Sequence, residues 1–180
     1  MKIIKTTIEG LLIIQPIVFE DKRGYFFESW SKSAFDAAGL NINFVQDNQS
    51  FSSKDVIRGL HFQNPPFEQG KLVRVLKGSV LDVAVDIRKD SSTFGQHVSI
   101  LLSGKNKKMF WIPPGFAHGF STLEENTIFS YKCSNSYHKE SERSLMWNDT
   151  DLNIDWKIKN PIISEDDQNS ELFINFKTPF

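Results

Sequence analysis

An all-β sandwich or closed barrel is the fold class this sequence predicts, and three observations carry it. In "VRVLKGSVLDVAVDI" the residues Leu81, Val83, Val85 and Ile87 alternate with Asp82, Ala84 and Asp86, which is the two-residue period of a strand and not the 3.6-residue period of a helix. Short runs of the same kind recur along the chain, separated by Gly, Pro, Asn or Ser, the spacing expected of sandwiches and barrels. Helical patterning is scarce.

Along the chain, "LLIIQPIVF" from Leu11 and "GYFFESW" from Gly24 predict the first strands. "SKSAFDAAGL" then offers a Ser cap, an Ala-rich middle and a Gly stop, predicting one or two helical turns over Ser33 to Ala38. Strands follow at "NFVQDNQS", "VIRGLHFQ" and "KLVRV". Lys77-Gly78-Ser79 interrupts two alternating runs between Val73 and Ile87, which predicts a β-hairpin. "HVSILLS", "KKMFWIP", "GFSTL" and "TIFSYKCSN" complete the strand set. The stretch from Asp149 onward is more polar and irregular, so it is expected to wrap the barrel, with a short helix after Pro161. No internal repeat, low-complexity tract or linker divides the chain, and residues 1–180 read as one domain.

A formal net charge of −1 over 180 residues leaves no electrostatic footprint for nucleic acid or an anionic membrane. The lone Cys133 cannot form an internal disulfide, and "MKIIKTTIEGLLIIQPIVF" lacks both a secretory-type apolar core with a small-residue cleavage site and a membrane span. These features predict a cytoplasmic protein without nucleic-acid or membrane partners. The 16 Phe residues are expected in the core and in subunit contacts.

Chemistry concentrates in "IRGLHFQNPPFEQGKLVRV", where Arg58, His61, Gln63 and Lys71 interrupt a strand-like run. Strict alternation puts Ile57, Gly59 and His61 on one face and Arg58, Leu60 and Phe62 on the other, while a bulge at Gly59 would turn both polar heads towards one site. "WIPPGFAHGF" adds His118, and "FSYKCSNSY" adds Tyr131 and Tyr137.

Two histidines in a barrel raise a metal reading. The metal arrangement of cupin-type barrels is H-x-H, a Glu a few residues on, then P-x-G-x-x-H. Pro113 to His118 fits the last part and Glu68 the middle, but Gln63 stands in place of the second His. A neutral amide is a poor ligand where imidazole and carboxylate are good ones. A metal-dependent cupin oxygenase or isomerase and a non-catalytic sugar-binding cupin therefore stand as the alternatives to a metal-free enzyme.

The segments "FEDKRGYFFES", "FVQDNQS", "IRGLHFQ", "QGKLVRV", "DVAVDIRKDSSTFG", "WIPPGFAHGF", "YKCSNSYHKESE" and "WND" occur in this order. On them the chain resembles the dTDP-4-dehydrorhamnose 3,5-epimerase family from Phe19 to about Asp167. The resemblance implies a cupin-type jelly-roll barrel with a few short helices and a C-terminal wrap. It further implies no metal and no cofactor, a homodimer, and a nucleotide-linked 4-keto-6-deoxy sugar as substrate. The apolar start of the chain, followed by Arg23 and Phe26, suggests that this segment pairs with a second subunit and completes its site.

The residue types suit that chemistry. A ketone at carbon 4 acidifies the protons on carbons 3 and 5, so inversion needs a base on one face, an acid on the other and a holder for the enolate oxygen. By resemblance His61 is the base, Tyr131 the acid and Lys71 the holder of the enolate. The carboxylate that orients the base falls in the late "SEDD" segment at Asp167. Arg23 and Arg58 offer guanidinium forks to a pyrophosphate. Phe26, Glu28, Gln46, Asp47, Asn48, His118 and Glu142 carry over as further substrate contacts, and Tyr137 as a ring to stack on thymine. Three departures from the family pattern bear on preference for sugar or nucleotide. Asp166 stands where Lys is frequent, Gln49 where His is frequent, and Glu68 where a small residue is common and close enough in sequence to act on Lys71.

Overall fold

A computed structural model describes every residue from Met1 to Phe180. In chain order the strands are β1 (Lys2–Lys5), β2 (Leu12–Gln15), β3 (Phe19–Asp21) and β4 (Gly24–Phe26), followed by the helix α1 (Lys32–Ala37). Next come β5 (Gln46–Ser52), β6 (Ile57–Gln63), β7 (Lys71–Lys77), β8 (Ser79–Asp86) and β9 (His97–Ser103). Then β10 (Met109–Ile112), β11 (Phe116–Thr122), β12 (Thr127–Cys133) and β13 (Glu142–Ser144) precede the helix α2 (Glu165–Gln168). No helix is long and apolar enough to cross a membrane.

The strands form a six-stranded sheet, β1-β2-β10-β7-β12-β5, and a five-stranded sheet, β13-β6-β11-β8-β9. Between them lies a core that includes Val73, Val75, Val80, Ala84, Phe110, Phe116, Phe120 and Phe129. The rings of Phe120 and Phe129 stack with centroids 4.2 Å apart. Truncating a ring of this kind to Ala costs about 3–5 kcal/mol. This is the cupin-type jelly roll that the resemblance implied, with its short helices and C-terminal wrap.

The expected hairpin over Val73 to Ile87 is not formed. β7 pairs with β10 and β12, whereas β8 pairs with β11 and β9, so the chain passes from one sheet to the other at Gly78. Gly78 has φ +82°, and a Cβ there would approach Thr127 to 2.3 Å. Alternation within each run reported the two faces of a strand correctly, but it carries no information on which strand lies alongside.

The apolar face of β8 looks away from the space between the two sheets. Val83, Val85 and Ile87 pack outward beneath the tail, against Leu145, Leu152 and Trp156, with Ile163 and Phe176 alongside. The alternate residues Val80 and Ala84 join the core between the sheets, which puts Asp82 on the interior side of the same strand. The tail thus builds a second hydrophobic layer. α1 does the same for the opposite sheet, where Phe35 packs against Ile14, Leu72, Met109 and Trp111. Lys32 and Asp36 pair at 2.5 Å across one turn of α1, and Gly39 ends it at φ +80°. Ser31 occupies the cap position, yet its hydroxyl meets that of Ser33 and not a backbone N–H.

Candidate active site

The site begins with an irregularity in β6. Across the β11 pairing His118 faces His61 and Phe120 faces Arg58, so three residues of β6 span two of β11. The extra residue is accommodated at Gly59, which has φ +131° and whose added Cβ would lie 2.5 Å from the Cα of Gly119. Only glycine permits this approach. Ile57, Leu60 and Phe62 all pack under the tail, and Arg58 and His61 line the same cleft. The bulge that alternation alone left open is present.

That cleft, about 560 Å³, lies between β6, β13 and the tail and includes Glu142, Ser164, Asp166 and Asp167 in its wall. Asp167 Oδ1 lies 2.6 Å from Nε2 of His61. The other carboxylate oxygen accepts from the Gly59 N–H at 3.3 Å. Asp167 is presented by α2, whose N-cap Ser164 accepts from the Asp167 N–H at 3.2 Å. The tail is held to β6 by a parallel bridge between Val56 and Ile162. Burial works against ionisation of Asp167, but its bonds with His61, the Gly59 N–H and Ser164 prevail and lower its pKa. The carboxylate therefore accepts from Nε2–H, which fixes the tautomer and leaves Nδ1 of His61 as the basic nitrogen.

Lys71 and Tyr131 stand on the neighbouring strands of the opposite sheet, in register with Cys133 and Val73 respectively. Burial pulls the Lys71 ammonium below the usual lysine range, with Cys133, Glu142 and Asp82 acting in the opposite sense. Burial pushes the Tyr131 phenol up; Cys133 and Glu142 add to this and Arg58 opposes it. The two side chains thus share the surroundings of Cys133 and Glu142. Cys133 is fully buried, and its sulfur lies 3.5 Å from Nδ2 of Asn48, which donates to it.

Glu142 accepts from the Tyr137 hydroxyl at 2.7 Å, which raises the tyrosine pKa. Tyr137 is half exposed beside the cleft, so its ring is positioned by Glu142 as well as available to a ligand. Gln46 accepts from the Tyr137 N–H at 2.8 Å and donates to Asn48 at 3.0 Å. Asp47, the intervening residue, points to the other face of β5, where Lys132 holds it at 2.6 Å. The structure therefore brings Gln46 and Asn48 towards Tyr131 but turns Asp47 away, as period two requires.

Arg58 donates to Ser52 Oγ at 3.2 Å and is directed into the cleft region with His61. His118 is buried next to His61, and its Nε2 lies 3.0 Å from both oxygens of Asp82. Arg23 and Phe26 lie elsewhere, on the exposed β3–β4 pair, where Arg23 forks onto Asp21 at 2.6 Å. Glu28 lies beside Ala34 and Phe35 of α1. Within one chain these three do not reach the His61 cleft. Glu68 is not among the groups acting on Lys71; one of its carboxyl oxygens is buried without a partner.

One contributor had no role assigned from the sequence. Asp82 orients His118, and its signal was an acidic residue in an otherwise apolar strand. Ser164, the first residue of the "SEDD" segment, caps the helix that carries Asp167.

A model of the dTDP-4-dehydrorhamnose 3,5-epimerase family matches residues 5–175. The chain is 50% identical over 176 residues to the dTDP-4-dehydrorhamnose 3,5-epimerase of Shigella flexneri, with 97% of each chain covered. Among solved structures it is similar to the 3,5-epimerase of Legionella pneumophila in complex with dTDP-4-keto-L-rhamnose. That match has TM-score 0.91 and 49% identity over 95% of this chain and 92% of that one. The dTDP-4-dehydrorhamnose 3,5-epimerase of Bacillus anthracis with TDP and PPi bound superposes with TM-score 0.94 and 42% identity, over 96% and 99% of the two chains.

Proposed function

The chain belongs to the dTDP-4-dehydrorhamnose 3,5-epimerase family, and from that membership we propose that it converts dTDP-4-dehydro-6-deoxyglucose into dTDP-4-dehydrorhamnose. It is an isomerase acting on a nucleotide-linked 4-keto-6-deoxy sugar at carbon 3, carbon 5 or both. The carrying observation is the 2.6 Å bond that joins His61 to Asp167 across 106 residues of sequence, in a cleft shared with Arg58 and Glu142.

In this reading Nδ1 of His61 takes the proton α to the ketone, and Asp167 stabilises the imidazolium that results. The electrons of the broken C–H bond move into the carbonyl, and the ammonium of Lys71 compensates the enolate oxygen. Tyr131 returns a proton to carbon from the opposite face, which inverts it. The imidazolium and the tyrosinate then exchange protons with solvent to restore the starting state. The ketone itself is the electron sink, so the reaction calls for no cofactor. A metal reading finds no support in the residues: the two histidines are engaged by Asp167 and Asp82, and no group of three His, Cys, Asp or Glu is arranged to hold an ion.

The dyad, Lys71 and Tyr131 supply the chemistry. Arg58, Gln46, Asn48, His118, Tyr137 and Glu142 supply contacts within the chain, and Asp166 places a negative charge in the cleft wall. Arg23, Phe26 and Glu28 act on the site of a second subunit in a homodimer with shared sites. In support, β3 and β4 pair only with each other, and Phe19, Tyr25 and Phe26 are 63%, 56% and 66% exposed. We place the enzyme in the cytoplasm, where its single free thiol stays reduced. Incubation with dTDP-4-keto-6-deoxyglucose in deuterated water, followed by NMR at carbons 3 and 5, tests the activity. Inversion with deuterium incorporation is expected, and absence of both overturns the reading. Sedimentation tests the dimer: a fully active monomer excludes shared sites.

A further inference from the structure

Gln63 occupies the position, two residues after His61, where a metal-binding cupin has its second histidine. Its amide is spent elsewhere. Nε2 donates to the carbonyl of Phe67 at 2.6 Å and to that of Ser136 at 3.2 Å, while Oε1 accepts from the His138 N–H at 2.8 Å. Gln63 is 4% exposed, so both amide hydrogens and the oxygen are satisfied inside the protein. These bonds join two loops far apart in sequence. One runs from β6 to β7 and ends at Lys71; the other leaves β12 and carries Tyr137 towards Glu142 at the start of β13.

The two loops are laced together around this side chain. The rings of Phe67 and His138 stack face to face at 3.8 Å and 2°. Gln69 donates to the Asn135 carbonyl at 2.8 Å, and the Gly70 N–H donates to Ser134 Oγ at 2.7 Å. None of those contacts ties the loops to the strand that carries His61. Backbone pairing of β13 with β6 and the bond from the Asn64 N–H to the Ser141 carbonyl hold the far end of the second loop, but Gln63 alone among the side chains of β6 bonds to both loops.

We propose that Gln63 is a positioning residue that sets Lys71 and the Tyr137–Glu142 pair relative to His61. It acts through the two loop backbones and does not touch substrate. The proposal rests on the epimerase reading for its consequence in catalysis, and on the geometry alone for the clamp. An apolar side chain of similar length removes all three bonds, whereas Gln63→Glu keeps the acceptor for His138 and sets it against the carbonyls of Phe67 and Ser136.

The test compares Gln63→Met and Gln63→Glu with wild type by amide hydrogen exchange without substrate, and by steady-state kinetics with dTDP-4-keto-6-deoxyglucose. The His138 amide is expected to exchange at least about tenfold faster in Gln63→Met, the size of one lost hydrogen bond, with amides of β8 and β11 unchanged. KM is expected to rise by a similar factor, with Gln63→Glu between the two. Wild-type protection at His138 in Gln63→Met, or a KM within about twofold of wild type in both variants, overturns the proposal. So does a uniform rise in exchange across the sheets, which marks general destabilisation. If wild type fails to turn over this substrate, the functional reading falls, and the amide exchange still decides the clamp.

Discussion

The molecule holds two histidine–aspartate pairs side by side, and they are not equivalent. His61 and His118 face each other in register across β6 and β11. His61 pairs with Asp167 at 2.6 Å with 35% of its side chain exposed, while His118 pairs with both oxygens of Asp82 at 3.0 Å with 8% exposed. Asp167 arrives from the tail, 106 residues away; Asp82 sits on the adjoining strand of the same sheet. The chemical pair is the same in both places. What differs is burial: the His61 imidazole is partly open to the cleft, and that of His118 is almost enclosed. In the proposed reaction the first pair carries the proton, while the second ties β11 to β8 through His118 and Asp82.

The comparison breaks most visibly at His61. His61→Asn is expected to lower turnover by roughly 100- to 10,000-fold, the range of a general base, with nucleotide binding and the fold retained. Near-wild-type solvent deuterium exchange into the sugar in that variant excludes His61 as the base. Tyr131→Phe tests the opposite face. Loss of the hydroxyl is expected to stop inversion more than proton abstraction, so deuterium washes in at carbon 3 or 5 with retained configuration; a ratio of exchange to inversion equal to wild type rules out the acid role.

Asp167→Asn is expected to reduce kcat on the order of ten- to a hundredfold by loosening the imidazole. It also changes the response to acid. A carboxylate whose pKa is lowered on folding contributes stability above its unfolded value of about 3.9 and loses it as pH falls through the lowered folded value. Melting temperatures of wild type and Asp167→Asn should therefore differ most near neutral pH and converge in acid; a constant difference across that range contradicts the assignment. The smallest kinetic effect is expected at the second pair. His118→Asn leaves the buried Asp82 without its partner and should cost about 1–3 kcal/mol in a denaturant melt, with turnover reduced far less than in His61→Asn. Equal kinetic losses in the two variants would erase the distinction between the pairs.

A structural carboxylate outside the site offers a control for the acid response. Asp86 is buried and accepts from Arg88, Ser91 and Thr93, bonds that overcome its desolvation and hold its pKa at about 2. Asp86→Asn should lose stability at neutral pH, and less so below about pH 2, with the remaining activity per folded molecule unchanged.

Local pattern was sufficient for much of this protein. Most strand positions, the helix before β5, the short helix after Pro161 and the polar wrap were legible, because period two and Gly and Pro breaks are written in contiguous residues; β1 and β13, four and three residues long, are too short to show a period. Gln46, Asn48, His61, Lys71, Tyr131, Glu142 and Asp167 entered through the motifs and the family resemblance, and the structure sets Asp167 on His61 as anticipated. Asp47 shared the same motif as Gln46 and Asn48, but a strand sends its neighbours to opposite faces.

The sequence by itself determined the fold class, the breaks between strands and the stock of acid, base and cation, since each depends on residue type and near-neighbour spacing. Tertiary structure decided which strands pair, and so turned the expected hairpin at Gly78 into a passage between sheets. It also decided which face of β8 is interior, because the tail supplies apolar cover for residues that would otherwise have had to face inward. The contrast between His61 and His118 lay beyond reach for the same reason: exposure is a property of everything packed around a side chain, and the packing partners come from segments tens to a hundred residues away.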